Sequence, residues 1–315
     1  MSYDLSGRRV FVAGGRGMVG RALVERLGHK ACEVLAPPRS ELDLTDAAAT
    51  RAWFADHRPH AVIHAAATVG GIHANATRPW DFAHDNLVLA TSVLDAARDS
   101  GVERLVYLGS SCIYPRQAVQ PISEDALLTG PLEPTNAPYA VAKIAGLTLV
   151  EAARQQHGLS WVSAMPTNLY GPHDNFSAQQ SHVIPGLLRR AHDRKLAGQR
   201  DLPIWGTGTP RREFLHVADC ADALVTILER YDADSPINVG TGEDVPIHAL
   251  AEMVMDVVGL KGRVVTDPSQ PDGTPRKRLD VSRLSALGWR PRHDLREGLA
   301  QTYRWLVDHH DEARL

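Results

Sequence analysis

The sequence has few cysteines, no long apolar run and no excess of basic residues, and each shortage excludes a class of protein. Three cysteines among 315 residues, at positions 32, 112 and 220, are too few and too scattered for a disulfide framework or a zinc site. No apolar run approaches the roughly 18 residues of a membrane-spanning helix, and the polar first nine residues do not resemble a signal peptide. Because 34 basic residues are balanced by 37 acidic ones, nucleic acid is not an expected partner.

The remaining composition is that of an ordinary globular protein. Apolar residues make up 43% of the chain and charged residues 23%, and the length suits one large domain or two smaller ones. The 15 histidines show no spacing typical of metal ligands, so no metal is expected. These features predict a cytoplasmic enzyme or binding protein with neither a membrane nor a nucleic-acid partner.

Short apolar runs alternate with amphipathic segments along most of the chain, which is the pattern of βαβ units around a parallel sheet. The segment 86–99 predicts a helix because Leu87, Ala90, Leu94 and Ala97 share one face. After Tyr170 the pattern loosens, with helices expected at 182–196 and 219–230. Strands are expected at 8–13, 32–36, 61–67, 104–109, 160–165, 214–217, 236–239 and 264–266.

A glycine-rich turn follows the first predicted strand, in the string Gly14-Gly15-Arg16-Gly17-Met18-Val19-Gly20. Glycine at 14, 17 and 20 allows a tight turn and a close approach of backbone to a diphosphate, which the next helix would meet with its N-terminus. The alternative is a tight turn without a ligand, but a position between the first strand and the first helix favours a dinucleotide.

The expected fold is therefore α/β, with a Rossmann-type doubly wound parallel sheet and a smaller α/β C-terminal substrate domain. We expect the dinucleotide domain to comprise residues 1–169 plus about 214–239. The substrate domain would comprise about 170–213 plus 240–315, so the two domains are not consecutive halves of the chain.

The end of the second predicted strand bears on the choice between NAD and NADP. An acidic residue there usually binds the ribose 2′-hydroxyl of NAD, but this strand ends at Ala36 and is followed by two prolines and Arg39. Arg39, helped by Arg16, favours the 2′-phosphate of NADP, although a solvated loop arginine is an equal alternative. Asp43 is either an adenine ligand or a turn residue.

Ser110, Tyr139 and Lys143 form a second constellation. Tyr139 and Lys143 are four residues apart at a predicted helix start, so they share one face. An ammonium near a phenol lowers the pKa of the phenol, so Tyr139 becomes a proton donor or acceptor for a carbonyl/alcohol pair. Ser110 follows the fourth predicted strand, at the sheet edge where ligands bind.

These motifs resemble the extended short-chain dehydrogenase/reductase superfamily, and longer strings resemble its GDP-L-fucose synthase family from about Val10 to the C-terminus. The resemblance implies an NADPH-dependent enzyme that epimerises C3 and C5 of GDP-4-keto-6-deoxy-D-mannose and then reduces C4. It also implies a homodimer through helices near 86–99 and 139–157. The strings are LGSSCIYP (108–115), EPTNAPYAVAKIAG (133–146), AMPTNLYGPHDNF (164–176), SHVIP (181–185), WGTGTPRREFLHV (205–217) and PDGTPRK (271–277).

The resemblance assigns catalytic roles to five residues. Cys112 would remove the protons next to the ketone and His182 would return protons from the other face. Ser110 and Tyr139 would hold the enolate oxygen, and Tyr139 would protonate O4 during reduction. Lys143 would tune Tyr139 and bind the nicotinamide ribose. From the sequence alone, Cys112 could be a small buried hydrophobe and His182 a capping or core residue.

The resemblance also assigns binding residues. A diphosphate suits a forked guanidinium, which favours Arg212, whereas Arg190 could equally lie on a solvated helix face. The family often carries histidine where this chain has Gly15, so that side-chain contact is lost. For the GDP sugar the residues implied are Arg190, Trp205, Arg212, Asp272 and Lys277. For the cofactor they are Gly14, Gly15, Arg16, Gly17, Met18, Val19, Gly20, Arg39, Leu108, Gly109, Ser110, Ser111, Lys143, Pro166, Thr167, Asn168, Leu169 and His182.

Three other functions use parts of the same pattern. A reductase for a related GDP-keto-deoxy sugar, of the colitose type, would use the same catalytic residues. A nucleotide-sugar 4-epimerase would retain NAD, but Cys112, His182 and Arg39 argue against it. A non-catalytic dinucleotide sensor usually lacks the tyrosine or the lysine, and both are present here.

Overall fold

The structure is a computed structural model that describes residues 2–178, 180–270 and 272–313, without the side chains of residues 72 and 73. The expected domain limits at residues 1 and 315, and Pro271 at the start of the PDGTPRK string, lie outside the described residues. The strands are β1 (Arg9–Ala13), β2 (Glu33–Leu35), β3 (Ala61–His64), β4 (Arg104–Leu108), β5 (Ser160–Pro166), β6 (Asn168–Tyr170), β7 (Leu202–Trp205), β8 (Arg211–Arg212), β9 (Phe214–His216), β10 (Ile237–Val239), β11 (Val245–Pro246), β12 (Val264–Asp267) and β13 (Arg276–Lys277).

Helices connect most of these strands, and local signals mark where they begin and end. Asp46 caps the second helix by accepting hydrogen bonds from the backbone of Ala48 and Ala49, and Gly158 ends the fifth in the left-handed region. The helices are α1 (Met18–Gly28), α2 (Ala47–His57), α3 (Ile72–Thr77), α4 (Pro79–Asp99), α5 (Ala137–His157), α6 (Val183–Leu196), α7 (Val217–Arg230), α8 (Ile247–Val258), α9 (Ser282–Ala286) and α10 (Leu295–Asp308).

The central element is a six-stranded parallel sheet in the order β10-β5-β4-β3-β1-β2. The predicted α/β fold with a Rossmann-like parallel sheet is confirmed. The strand order reverses direction at β1, which lies between β2 and β3, so a ligand crevice is expected beyond the carboxyl ends of β1 and β3. The predicted return of 236–239 to this sheet is also confirmed, because Ile237 pairs with Ala164 on β5.

Two predicted elements differ from the structure. The helix expected at 86–99 begins earlier, at Pro79, because proline suits the first turn and Asp81 adds an acidic residue there. The strand expected at 214–217 is present as β9 but ends one residue earlier, and it pairs with β6 in a separate two-stranded sheet, with Phe214 opposite Asn168. This small sheet lies just beyond the end of β5, next to the site described below.

The buried apolar side chains form three large clusters. One lies on the sheet face covered by α1 and α7, and includes Leu23 and Leu224. Another lies on the face covered by α4 and α5, and includes Trp161 and Leu147. The third lies among α6, α8 and α10. Both faces of the parallel sheet are therefore covered, as such sheets require. Within the described ranges, the helices are all too short or too polar to cross a bilayer.

Candidate active site

The glycine-rich turn forms a cradle of bare backbone at the sheet's switch point. Gly14 has a φ of +82°, and a Cβ there would lie 2.9 Å from the backbone of Ala66, which follows β3. A Cβ on Gly20 would lie only 2.0 Å from the Gly14 carbonyl oxygen. Helix α1 begins after Gly17, which has no side chain to cap the first-turn N–H groups. These glycines and N–H groups suit a dinucleotide diphosphate.

The end of β2 borders this cradle, because a Cβ on Gly15 would lie 2.7 Å from the Cβ of Ala36. Arg39 follows three residues later at the rim, where its side chain is 79% exposed and its Nη2 lies 3.0 Å from a carboxylate oxygen of Asp43. The other oxygen of Asp43 accepts hydrogen bonds from the backbone N and the hydroxyl of Thr45, at 3.0 and 2.7 Å. These bonds lower the pKa of Asp43. Of the two roles expected for Asp43, the structure shows that of a turn residue, and the turn holds Arg39.

Ser110, Cys112 and Tyr139 come together beyond the end of β4. Ser110 begins a one-turn 3₁₀ helix, in which its Oγ accepts a hydrogen bond from the Cys112 N at 3.1 Å. The Tyr139 side chain, in the first turn of α5, is hydrogen-bonded to the Ser110 side chain. Tyr139 packs against Phe82 and Cys112. The two hydroxyls and the thiol are therefore held in one small volume.

Lys143 is 3% exposed and lies one turn after Tyr139 on α5. Its Nζ donates to the Leu108 carbonyl oxygen at 2.8 Å, and burial lowers its pKa to about 7. The pKa of Tyr139 is raised, first by burial and then by the Cys112 charge, while the hydrogen bond with Ser110 acts in the opposite direction. The expected lowering of the Tyr139 pKa by Lys143 is therefore wrong for this structure, because Lys143 is hydrogen-bonded to the backbone and desolvation dominates at both groups.

Cys112 also contacts the C-terminal part of the chain. The Lys277 Nζ lies 3.6 Å from the Cys112 Sγ, and Lys277 pairs with Arg212 across β13 and β8. Cys112, Glu133 and Lys277 line the same small cleft. Burial lowers the pKa of Arg212, whose charge also interacts with Cys112. A thiolate at Cys112 would thus be attracted by two cations.

His182 is the residue immediately before α6. The segment that leads to it contacts the Gly70–Gly71 turn, because the Gly71 N donates to the Gln180 carbonyl oxygen at 3.1 Å. That turn lies against Phe82, whose ring centroid is 6.4 Å from that of Tyr139. The structure therefore places the His182 segment on the Phe82 side of Tyr139.

The other residues expected to bind the GDP sugar lie on α6, on β7 and in the loop before β13. Arg190 is partly buried and donates to the Pro203 carbonyl oxygen at 2.7 Å, so it is not on a solvated helix face. Trp205 is 62% exposed at the end of β7. Both carboxylate oxygens of Asp272 accept hydrogen bonds from Thr207, at 2.9 Å from its N and 2.8 Å from its hydroxyl. Asp272 therefore stabilises the turn that follows Trp205.

The cofactor residues expected at Pro166–Leu169 span the junction between β5 and β6. The Thr167 N donates to the Val239 carbonyl oxygen at 2.9 Å, and the Asn168 side chain donates to the Glu213 carbonyl oxygen at 2.8 Å. Glu213 is a buried acid that the sequence motifs do not single out. Its signal was present in the sequence, because an acidic residue directly precedes the apolar run 214–217.

Comparison with known proteins agrees with this geometry. The model of the NAD dependent epimerase/dehydratase family matches residues 10–240. The chain belongs to this family. The GDP-L-fucose synthase of Sinorhizobium fredii is 52% identical over 305 residues, which cover 97% of each chain. That of Escherichia coli is 49% identical over 320 residues, covering 98% of this chain and 100% of the other.

A solved structure of a GDP-L-fucose synthetase from Naegleria fowleri bound to NADP superposes with a TM-score of 0.91. It is 28% identical in sequence and covers all of this chain, with 98% of its own length matched. The resemblance to GDP-L-fucose synthases expected from the sequence strings is confirmed. Members of the NAD dependent epimerase/dehydratase family use NAD or NADP as the cofactor. Among the described residues, His, Cys, Asp and Glu side chains form no cluster that could hold a metal ion.

Proposed function

We propose that this family member converts GDP-4-keto-6-deoxy-D-mannose to GDP-L-fucose, by epimerisation at C3 and C5 followed by NADPH-dependent reduction at C4. The observation that carries this proposal is the position of Cys112. A simple ketone reductase needs the serine, tyrosine and lysine, but has no use for a thiol one turn beyond the serine. Here the thiol lies against Tyr139 and within 3.6 Å of a lysine ammonium.

Epimerisation requires a base on one face of the sugar and an acid on the other. The Cys112 thiolate takes a proton from C3 and, in a separate step, a proton from C5; the two steps can occur in either order. Each time, the electron pair of the broken C–H bond moves onto the C4 oxygen and forms an enolate. The hydroxyls of Ser110 and Tyr139 donate to that oxygen, which stabilises the developing charge. His182 returns a proton to the opposite face of each carbon.

Reduction of the C4 ketone then uses the same oxygen site. When bound, NADPH supplies a hydride. Tyr139 supplies the proton to the C4 oxygen, and its raised pKa suits this role because the phenol keeps its proton until the alkoxide forms. Lys143, one turn further along α5, would bind the nicotinamide ribose. The Leu108 carbonyl orients the lysine.

The cofactor would be held by the backbone cradle 14–20, by Leu108–Ser111, by Lys143, by Pro166–Leu169 and by His182. We propose a preference for NADP over NAD. The exposed Arg39 guanidinium at the rim of the cradle is free to turn from Asp43 to a 2′-phosphate, which carries more charge than one carboxylate. The acidic residue that NAD usually requires is not at the end of β2, since Leu35 and Ala36 are there.

The GDP sugar would bind between the sheet edge and the C-terminal segments. Arg212 and Lys277 face the Cys112 side and suit the diphosphate. Trp205 is exposed and suits the guanine ring, with Asp272 supporting its turn. Arg190, beside β7, completes the set. On this basis residues 1–169 with about 214–239 form the cofactor domain, and about 170–213 with 240–315 form the substrate domain.

We further propose a cytoplasmic homodimer. The three cysteines are unpaired thiols, as expected in a reducing compartment. Exposed apolar side chains lie on the two helices expected at the interface: Leu87 on α4, and Val141 and Leu149 on α5. These helices pack against each other, and a second copy would cover them. Sedimentation at the monomer mass would contradict the dimer.

The deciding experiment incubates the purified protein with GDP-4-keto-6-deoxy-D-mannose and NADPH. We expect NADPH oxidation and a GDP-L-fucose product. No oxidation would refute the proposal. Faster turnover of a GDP-4-keto-3,6-dideoxy sugar would favour the colitose-type reaction. Protein that purifies with bound NAD and interconverts C4 epimers of a nucleotide sugar without NADPH would indicate a 4-epimerase. Binding of NADPH with no turnover of any GDP-keto sugar would indicate a dinucleotide sensor.

A further inference from the structure

Glu213 is a carboxylate with no exposed surface, located next to the strand that carries Arg212. It directly follows Arg212 at the end of β8 and directly precedes β9. Burying a carboxylate is costly unless hydrogen bonds satisfy its oxygens, and burial raises the pKa of Glu213. The partners of its oxygens therefore indicate what the residue holds in place.

The partners of Glu213 belong to two loops that come from distant parts of the sequence. One carboxylate oxygen accepts a hydrogen bond from the Leu279 N at 2.7 Å. The other accepts from the Gly242 N at 2.8 Å and from the Thr241 hydroxyl at 3.5 Å. The Glu213 backbone N also donates to the Lys277 carbonyl oxygen, at 3.3 Å. Glu213 therefore binds the segment 277–279 at both ends.

This segment carries the lysine that contacts the thiol. Strand β13 is two residues long, so its own ladder of hydrogen bonds with β8 is short. Its position therefore also depends on hydrogen bonds at its ends: the Arg211 N donates to the Pro275 carbonyl oxygen and the Ile122 N to the Arg278 carbonyl oxygen, both at 2.8 Å, and the Leu279 N donates to Glu213 at 2.7 Å. The bond to Glu213 is the shortest of these and the one made by a buried charge. Through this bond the carboxylate fixes Lys277, whose Nζ lies 3.6 Å from the Cys112 Sγ.

We propose that Glu213 is a positioning residue that holds Lys277 against Cys112 and beside Arg212. It does not touch the substrate and acts through Lys277. The inference rests on the proposed function, since it assigns Lys277 to the epimerisation base and to the diphosphate. Its effect should fall on binding of the GDP sugar and on proton abstraction at C3 and C5, and not on the cofactor cradle.

The first test is Glu213→Gln, which keeps the shape but places an NH₂ group opposite a backbone N–H. One of the two N–H partners, Gly242 or Leu279, then loses its acceptor and the segment 277–279 shifts. We expect the KM for the GDP sugar to rise about tenfold and deuterium exchange at C3 and C5 to slow about tenfold. The KM for NADPH should change less than twofold.

A second variant perturbs the carboxylate without removing it. A Cβ on Gly240 would lie 2.1 Å from the Glu213 Oε1, the flexible end of that side chain. Gly240→Ala should therefore displace the carboxylate and give the same kinetic pattern, even if Glu213→Gln fails to fold. Affinity for GDP itself, measured by calorimetry, should fall about tenfold in both variants, and this readout does not depend on turnover.

The matched control is Glu124→Gln. Glu124 is another buried carboxylate that accepts from a backbone N, that of Asn238 at 2.9 Å, and it pairs with Arg283; among the described residues its carboxylate forms no hydrogen bond or ion pair with the segment 277–279. This variant should lower the Tm and leave both KM values and the exchange rate unchanged. The inference is wrong if Glu213→Gln and Gly240→Ala retain wild-type GDP affinity and exchange, or if Glu124→Gln shows the same pattern. Failure of the wild type to oxidise NADPH while it binds GDP would instead refute the proposed function.

Discussion

The cofactor cradle makes a specific prediction about Gly20, because helix α1 crosses the glycine turn at that residue. In Gly20→Ala the new Cβ would lie 2.0 Å from the Gly14 O and 2.6 Å from the Gly15 Cα. Both are backbone atoms, so the turn or the helix must move. Overpacking of this kind costs about 1–3 kcal/mol, and at about 2–4 °C per kcal/mol the Tm should fall by roughly 2–12 °C. The shifted turn should also bind NADPH at least about tenfold more weakly, which corresponds to about 1.4 kcal/mol.

Gly28→Ala is the matched control, because Gly28 is in the same helix and a Cβ there meets nothing within 4 Å. Alanine is favoured over glycine in a helix by up to about 1 kcal/mol, so this variant should be as stable as the wild type or more stable. Thermal unfolding and titration of NADPH fluorescence measure both properties. Wild-type Tm and NADPH affinity in Gly20→Ala would refute the packing argument.

Four further predictions concern the catalytic and cofactor residues. Cys112→Ser should slow deuterium exchange at C3 and C5 by about 100-fold or more while NADPH affinity survives, with Cys32→Ser as the unaffected control; unchanged exchange would exclude Cys112 as the base. Tyr139→Phe should lose about 100-fold or more of the C4 reduction and slow the exchange by a smaller factor, because Ser110 still donates to the enolate oxygen; equal losses of both would show that the two roles are not separable. Lys143 has a pKa lowered from 10.5 to about 7, so the unfolded chain binds more protons between these values and the lysine's contribution to stability is lost as the pH falls towards 7. The Tm of Lys143→Met should therefore exceed that of the wild type by more at pH 7 than at pH 10. Thermal unfolding of both proteins at the two pH values measures this difference, and an equal difference at both would contradict the burial argument. Arg39→Ala should lower affinity for NADPH about tenfold and that for NADH less than twofold, and equal losses would contradict the 2′-phosphate contact.

The parallel sheet could be predicted from the sequence because its strands are continuous apolar runs separated by helical patterns. The glycine spacing then located the switch point, and the spacing of Tyr139 and Lys143 predicted that both lie on one helix. Local signals of this kind can be recognised in a sequence without knowledge of tertiary contacts. They also predicted the strand at 214–217, but not its partner, because β6 follows β5 after a single residue and is too short to give a pattern of its own.

Contacts between distant segments of the candidate site could not be predicted. The sequence separates Cys112 from Lys277 by 165 positions, and nothing in either string indicates that one side chain reaches the other. The same holds for Glu213, whose carboxylate partners come from 241–242 and 279. The spacing of Tyr139 and Lys143 also predicted the wrong direction for the Tyr139 pKa shift, because that direction depends on burial and not on spacing.

The central claim is that one site performs both epimerisation and reduction, and the isotope pattern of the product tests it most directly. The reaction is run in D₂O with GDP-4-keto-6-deoxy-D-mannose and unlabelled NADPH, and the product is read by NMR and mass spectrometry. We predict GDP-L-fucose with deuterium at C3 and C5 and protium, delivered by NADPH, at C4. A reduced product with protium at both C3 and C5 would contradict the account, because reduction would then have occurred without epimerisation.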